Sequence, residues 1–203
     1  MSHRLWITLV LSLCATPAAA QQLLVPMDDA QTEHLKAYGL TFWVLDQRMS
    51  GEWLLNYRSG SFLLPDRPDV RREAALRGVT IVPVDGGQIA QIHAQIAQAN
   101  MERVILEKAP KIAVYTPDQA YMNPWDDAVL IALDYADIPY DKLWDAEVLQ
   151  GRLSEYDWLH LHHEDFTGQY SKFFLNNMGA AWLQQAVQMN EGVARQFLSL
   201  IHI

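Results

Sequence analysis

The order of segments after residue 108 constrains the fold most. "KIAVYT" reads as a strand, "PWDDAVLIALDYADI" as a helix, "PYDKLW" as a strand, "DAEVLQG" as a short helix and "EYDWLHLHH" as a strand again. Strands separated by helices cannot close as hairpins, so they join by right-handed crossovers into a parallel sheet. Common doubly wound folds carry five or six strands, and only three are read here. Residues 108–203 are therefore expected to form a flavodoxin-like parallel-sheet domain that is C-terminally truncated. Its last helical stretch runs at once into an apolar "LSLIHI", read as the end of an interrupted frame.

Residues 21–107 are expected to form a separate N-terminal α/β domain. "DDAQTEHLKAYG" reads as a helix capped by Asp28 or Asp29 and ended by Gly39, and "LTFWVLD" (40–46) as a strand covered on both faces. Two short apolar pieces flank a turn at Ser59-Gly60. A helix with Pro68 near its start and Gly78 after its end follows, then a strand "VTIVPV" and an amphipathic helix bearing Ile89, Ile92 and Ile96. The alternation predicts a parallel sheet here too. The alternative is one continuous doubly wound sheet through both halves.

The chain of 203 residues opens with "MSHRLWITLVLSLCATPAAAQQ". A basic start, a short apolar run and Ala18-x-Ala20 spacing are those of a signal peptide over residues 1–20, cleaved after Ala20, which implies a secreted or periplasmic protein. Cleavage removes Cys14, the only cysteine, and with it any disulfide, thiolate ligand or thiol nucleophile. Losing Arg4 leaves 14 basic residues against 24 acidic ones, a formal charge of −10. Nucleic acid and anionic lipid both need clustered Lys and Arg, so neither is an expected partner. No membrane insertion is expected after cleavage. No phosphate loop, nucleophile elbow or H-E-x-x-H occurs, and no cofactor or metal is implied.

Three places carry candidate chemistry. In "WLHLHHEDFTGQ" (158–169), His162, His163 and Glu164 are candidate acid/base or ligand-positioning groups, with Asp165, Thr167 and Gln169 as ligand contacts. Alternation puts His160 and His162 on one strand face, so these two with Glu164 could converge on a metal in a hydrolytic site; equally, the histidines could only hydrogen-bond in the sheet rim. In "TPDQAYMNPWDD" (116–127), Trp125, Asp126 and Asp127 face the same crevice if both loops follow strands whose carboxyl ends meet where the strand order reverses. Carboxylates in a helix's first turn also suit its dipole without any ligand. In "WLLNYRSGSF", Asn56 and Arg58 could bind a carboxylate or sugar hydroxyl, or act as turn chemistry with a surface salt bridge.

"LKAYGLTFWVLDQ", "WLLNYRSGSFLLP", "LEKAPKIAVYTP", "PWDDAVLIALDYADIPYD" and "EYDWLHLHHEDFTGQYSKF" together resemble a family of large secreted bacterial proteins labelled asparagine synthetase B, over about Leu24 to Phe174. The resemblance implies a class I glutamine amidotransferase-like domain in the second half, also similar to trehalose-utilisation proteins. It further implies a continuation into a strand and a cysteine-bearing elbow, the cysteine attacking an amide with histidine as base. The chain departs from ATP-dependent asparagine synthetases, which use an amino-terminal cysteine and an S-G-G-x-D-S loop. What is expected is an extracytoplasmic protein that takes a small polar ligand or amide substrate, with this stretch inactive alone. The rival is a non-catalytic binding or envelope-assembly module using the same crevice or Trp53 to Phe62.

Overall fold

The computed structural model describes residues 21–116, 128–161 and 169–196, giving the backbone alone for 169–171, 193, 194 and 196. Two sheets organise them. β1 (Gln22–Val25), β2 (Gly51–Leu55), β3 (Ser61–Pro65), β4 (Val82–Val84) and β5 (Glu102–Leu106) form a sheet in the order β4-β1-β3-β2-β5, antiparallel throughout. β6 (Ile112–Tyr115), β7 (Asp141–Leu143) and β8 (Trp158–Leu161) form a parallel sheet in the order β7-β6-β8. The chain is thus mixed α/β, and a single doubly wound sheet is ruled out.

The antiparallel first sheet corrects the expectation of a parallel one. Helices α1 (His34–Asp46), α2 (Pro68–Arg77) and α3 (Gly86–Gln98) do join strands that run the same way. In each case at least one antiparallel strand is inserted between the two: β3 lies between β1 and β2, and β1 between β3 and β4. A helical crossover fixes strand direction, and neighbours are chosen separately by packing. Both faces are covered. Leu23, Val25, Phe62 and Leu64 face α1 and α2, while Leu24, Leu54 and Leu63 face Ile92 and Ile96 of α3.

The stretch Leu40 to Asp46 is not a strand. It continues α1, which starts at His34 and runs through Gly39. Ala37, Leu40 and Val44 recur at helical spacing and pack on the antiparallel sheet. Phe42, elsewhere on the helix, packs against Ile112, Val114, Leu130 and Leu133 beside the parallel sheet. A helix sandwiched between two layers is apolar all round, which mimics the continuous run of a buried strand. Asp28 and Asp29 stand outside it, in a turn where Asp28 Oδ1 accepts from Ala30 N–H at 3.2 Å.

Gly39 is used for closeness rather than for a left-handed cap. A Cβ there would fall inside the van der Waals shell of the Ala136 carbonyl oxygen, at the end of α4 (Ala128–Ala136). Polar groups fix the same contact. Arg77 Nη1 donates to the Ala136 carbonyl at 3.0 Å, Lys36 Nζ to Asp137 Oδ2 at 2.9 Å, and the Tyr135 hydroxyl to Glu33 Oε2 at 2.6 Å. Cations at a helix carboxyl end satisfy orphan carbonyls and suit the dipole.

The strands and helices read after residue 108 are all present, with α5 at Asp145–Leu149. The final helical stretch forms two helices, α6 (Gln169–Asn176) and α7 (Ala181–Gln196), broken around Gly179. Among the described residues no helix is long and apolar enough to cross a membrane.

Candidate site at the carboxyl edge of the parallel sheet

Register fixes the geometry. Tyr115 pairs with Leu143 on one side and with Leu161 on the other, so all three strands finish at one edge. β6 lies centrally: the chain passes from it to β7 on one side and then returns to β8 on the other. The order therefore reverses between β6 and β8. In open parallel sheets this reversal opens a crevice, because the two following loops diverge to opposite faces.

Described groups line this edge. The Tyr115 ring stacks on Trp144 with centroids 4.8 Å apart, and its hydroxyl donates to Asp145 Oδ1. Thr116 is buried, its N–H donating to the Leu143 carbonyl at 2.9 Å. The Trp144 N–H is taken by Glu147 Oε2 at 3.0 Å, which fixes the start of α5, where Asp145 meets the Tyr115 hydroxyl. Tyr115 and Asp145 were not singled out in the sequence. The signal lay in the rule already applied to β6 and β8: the end of β7 and the residues after it share their edge.

The predicted residues divide by position. His162, His163, Glu164, Asp165 and Thr167, like Trp125, Asp126 and Asp127, lie outside the described residues. The described backbone flanks these segments at Thr116 and Leu161, ends of adjacent strands. Gln169 is the first residue of α6. His160 pairs with Val114, whose side chain belongs to the α4-facing cluster, so His160 shares that face, one residue inside the strand end. Among the described residues no group of three His, Cys, Asp or Glu could hold a metal.

Asn56 and Arg58 sit in a turn held by internal bonds. Asn56, Arg58 and Ser59 have φ of 65°, 45° and 64°, values that L-residues adopt at a cost, and Gly60 at 90° completes the reversal. The Arg58 fork is engaged by Asp28, with Nε to Oδ2 at 2.6 Å and Nη2 to Oδ1 at 3.0 Å. The Arg58 carbonyl accepts from Met27 N–H and Ser61 Oγ, and Trp53 Nε1 donates to the Gly60 carbonyl at 3.0 Å. The guanidinium is thus used within the chain, and Asn56 and Ser59 are the exposed residues of the turn.

This anchor carries a pH dependence. Arg58 above all, with the Ala30 N–H adding to it, holds the Asp28 carboxyl below the usual carboxylate range. A carboxylate lowered in the folded state contributes stability above its unfolded value of about 3.9, lost as pH falls through the folded value. Loosening of the 56–60 turn is expected only below about pH 4. Amide shifts of Met27 and Gly60 followed by NMR from pH 6 to 2 should move with the Asp28 carboxyl, and Asp28→Asn should place the turn in its loosened state at every pH.

No family model, curated protein or solved structure matches the chain. The site must then be weighed on geometry. A cleft of about 300 Å³ lies at the opposite rim, among Phe42, Asp46, Pro110, Lys111, Tyr140 and Asp141, at the amino ends of β6 and β7. Strand amino ends carry no strand-order crevice, and this cleft follows from α1 meeting the second sheet. The carboxyl edge, with its stacked aromatics, carboxylate and loop-bearing strand ends, is the better candidate.

Proposed function

We propose that the chain is an extracytoplasmic, class I glutamine amidotransferase-like protein that binds a small polar ligand of the amide class. Its site is at the carboxyl ends of β6 and β8, at Tyr115, Thr116 and Leu161 and beside Trp144 and Asp145. The observation that supports this is the reversal of strand order between β6 and β8, whose carboxyl ends are adjacent and in register. Asp145 offers carboxylate acceptors to an amide N–H, and Tyr115 with Trp144 offers an aromatic wall. His162, His163 and Glu164 then position the ligand through their hydrogen-bonding groups. No cysteine follows Cys14, so the reading is binding of the amide without attack by a thiol of this chain.

Titration calorimetry with L-glutamine and L-asparagine should detect saturable binding of at least one, with no ammonia released. A hydrogen bond to a charged group contributes about 1.5–3 kcal/mol, so Asp145→Asn should weaken binding at least about tenfold. Failure of both amides to bind would remove the amide reading, and equal affinity in Asp145→Asn would remove Asp145 from it.

A further inference from the structure

We infer that two copies of this chain pair edge to edge through β5, extending the antiparallel sheet across a two-fold axis. The two edges of that sheet differ. β4 is three residues long and contains Pro83, which cannot donate to a ladder, so this edge is blunted. β5 has five residues, no proline, and exposed Val104 and Ile105, and among the described residues no strand pairs with its outer edge. An unprotected apolar edge strand is a template for another strand.

The sequence of the edge selects a second copy as its occupant. Glu102-Arg103-Val104-Ile105-Leu106-Glu107-Lys108 is complementary to itself about Ile105. Antiparallel pairing centred there sets Glu102 opposite the partner's Lys108, Arg103 opposite the partner's Glu107 and Val104 opposite the partner's Leu106. Each pair keeps its own sheet face, as a two-fold axis normal to the sheet requires. Centring on Val104 instead would set Arg103 against an isoleucine, and centring on Arg103 would oppose two guanidinium groups. Opposite charges and apolar pairs directly across a ladder stabilise it, and like charges do the reverse. Within one copy Arg103 approaches Glu52 at 3.7 Å and Lys108 bonds Asp157 at 2.9 Å, both at exposed positions where a second carboxylate can be shared.

Sedimentation velocity on the full chain across concentrations should show a monomer–dimer equilibrium. Glu107→Arg, which sets like charges opposite at two places per dimer, should weaken it by about tenfold or more. Adding Arg103→Glu should restore it. Independently, in a Cys14→Ser background, Ile105→Cys should cross-link to itself on oxidation, whereas Glu102→Cys should not. A wild-type chain that stays monomeric, a dimer unmoved by Glu107→Arg, or a dimer in which Ile105→Cys cross-links no faster than Glu102→Cys overturns the proposal. Neither test depends on the ligand-binding reading.

Discussion

Gly39→Ala is expected to destabilise the fold by about 2–3 kcal/mol, the size of an overpacked core substitution. The sign is the informative part. Glycine inside a helix ordinarily costs about 0.5–1 kcal/mol relative to alanine, so the same exchange at an open site is stabilising. At Gly39 the added methyl meets the Ala136 carbonyl oxygen, which is backbone and already held by Arg77. Relief requires α4 to move off α1, weakening the Lys36–Asp137 and Tyr135–Glu33 contacts and the seat of Phe42. Gly192 of α7 is the control, because nothing lies within 4 Å of a Cβ there. Urea midpoints should fall for Gly39→Ala and hold or rise slightly for Gly192→Ala.

Leu64→Ala is the second large effect, expected to cost about 3–5 kcal/mol. Leu64 is fully buried on β3, opposite Leu23 of β1, in the cluster that joins the sheet to α1 and α2. Its loss removes apolar contact and leaves a cavity walled by two strands and two helices, which cannot readily collapse. Leu76 of α2, with 75% of its surface exposed, should change stability by no more than about 0.5 kcal/mol when cut to alanine. Equal losses at the two positions would contradict the core assignment.

Legibility in the sequence followed the range of the interactions. From β6 to β8 each strand is joined to the next by a helix, and the two later strands flank the first, so local pattern and tertiary order agree. In the first half they diverge. β1 is four residues long and β5 has four exposed residues, so neither shows a buried strand's periodicity, yet both complete the sheet. α1 failed for the opposite reason: contacts on several sides erased the polar face that marks a helix. The site shows the same division. That two loops share an edge could be reasoned from strand alternation, but the bond from Tyr115 to Asp145 depends on the alignment of two strand ends. Arg58 was legible as a fork of donors. Its partner, Asp28, lies thirty residues upstream and is set by tertiary packing.

The most direct test of the account is an NMR shift map of the ¹⁵N-labelled chain titrated with L-glutamine or L-asparagine. Saturable changes are expected at Tyr115, Thr116, Trp144, Asp145 and Leu161, with the 56–60 turn and the Phe42–Tyr140 cleft unmoved. Changes centred on either of those other places, or none at the ends of β6 and β8, would contradict it.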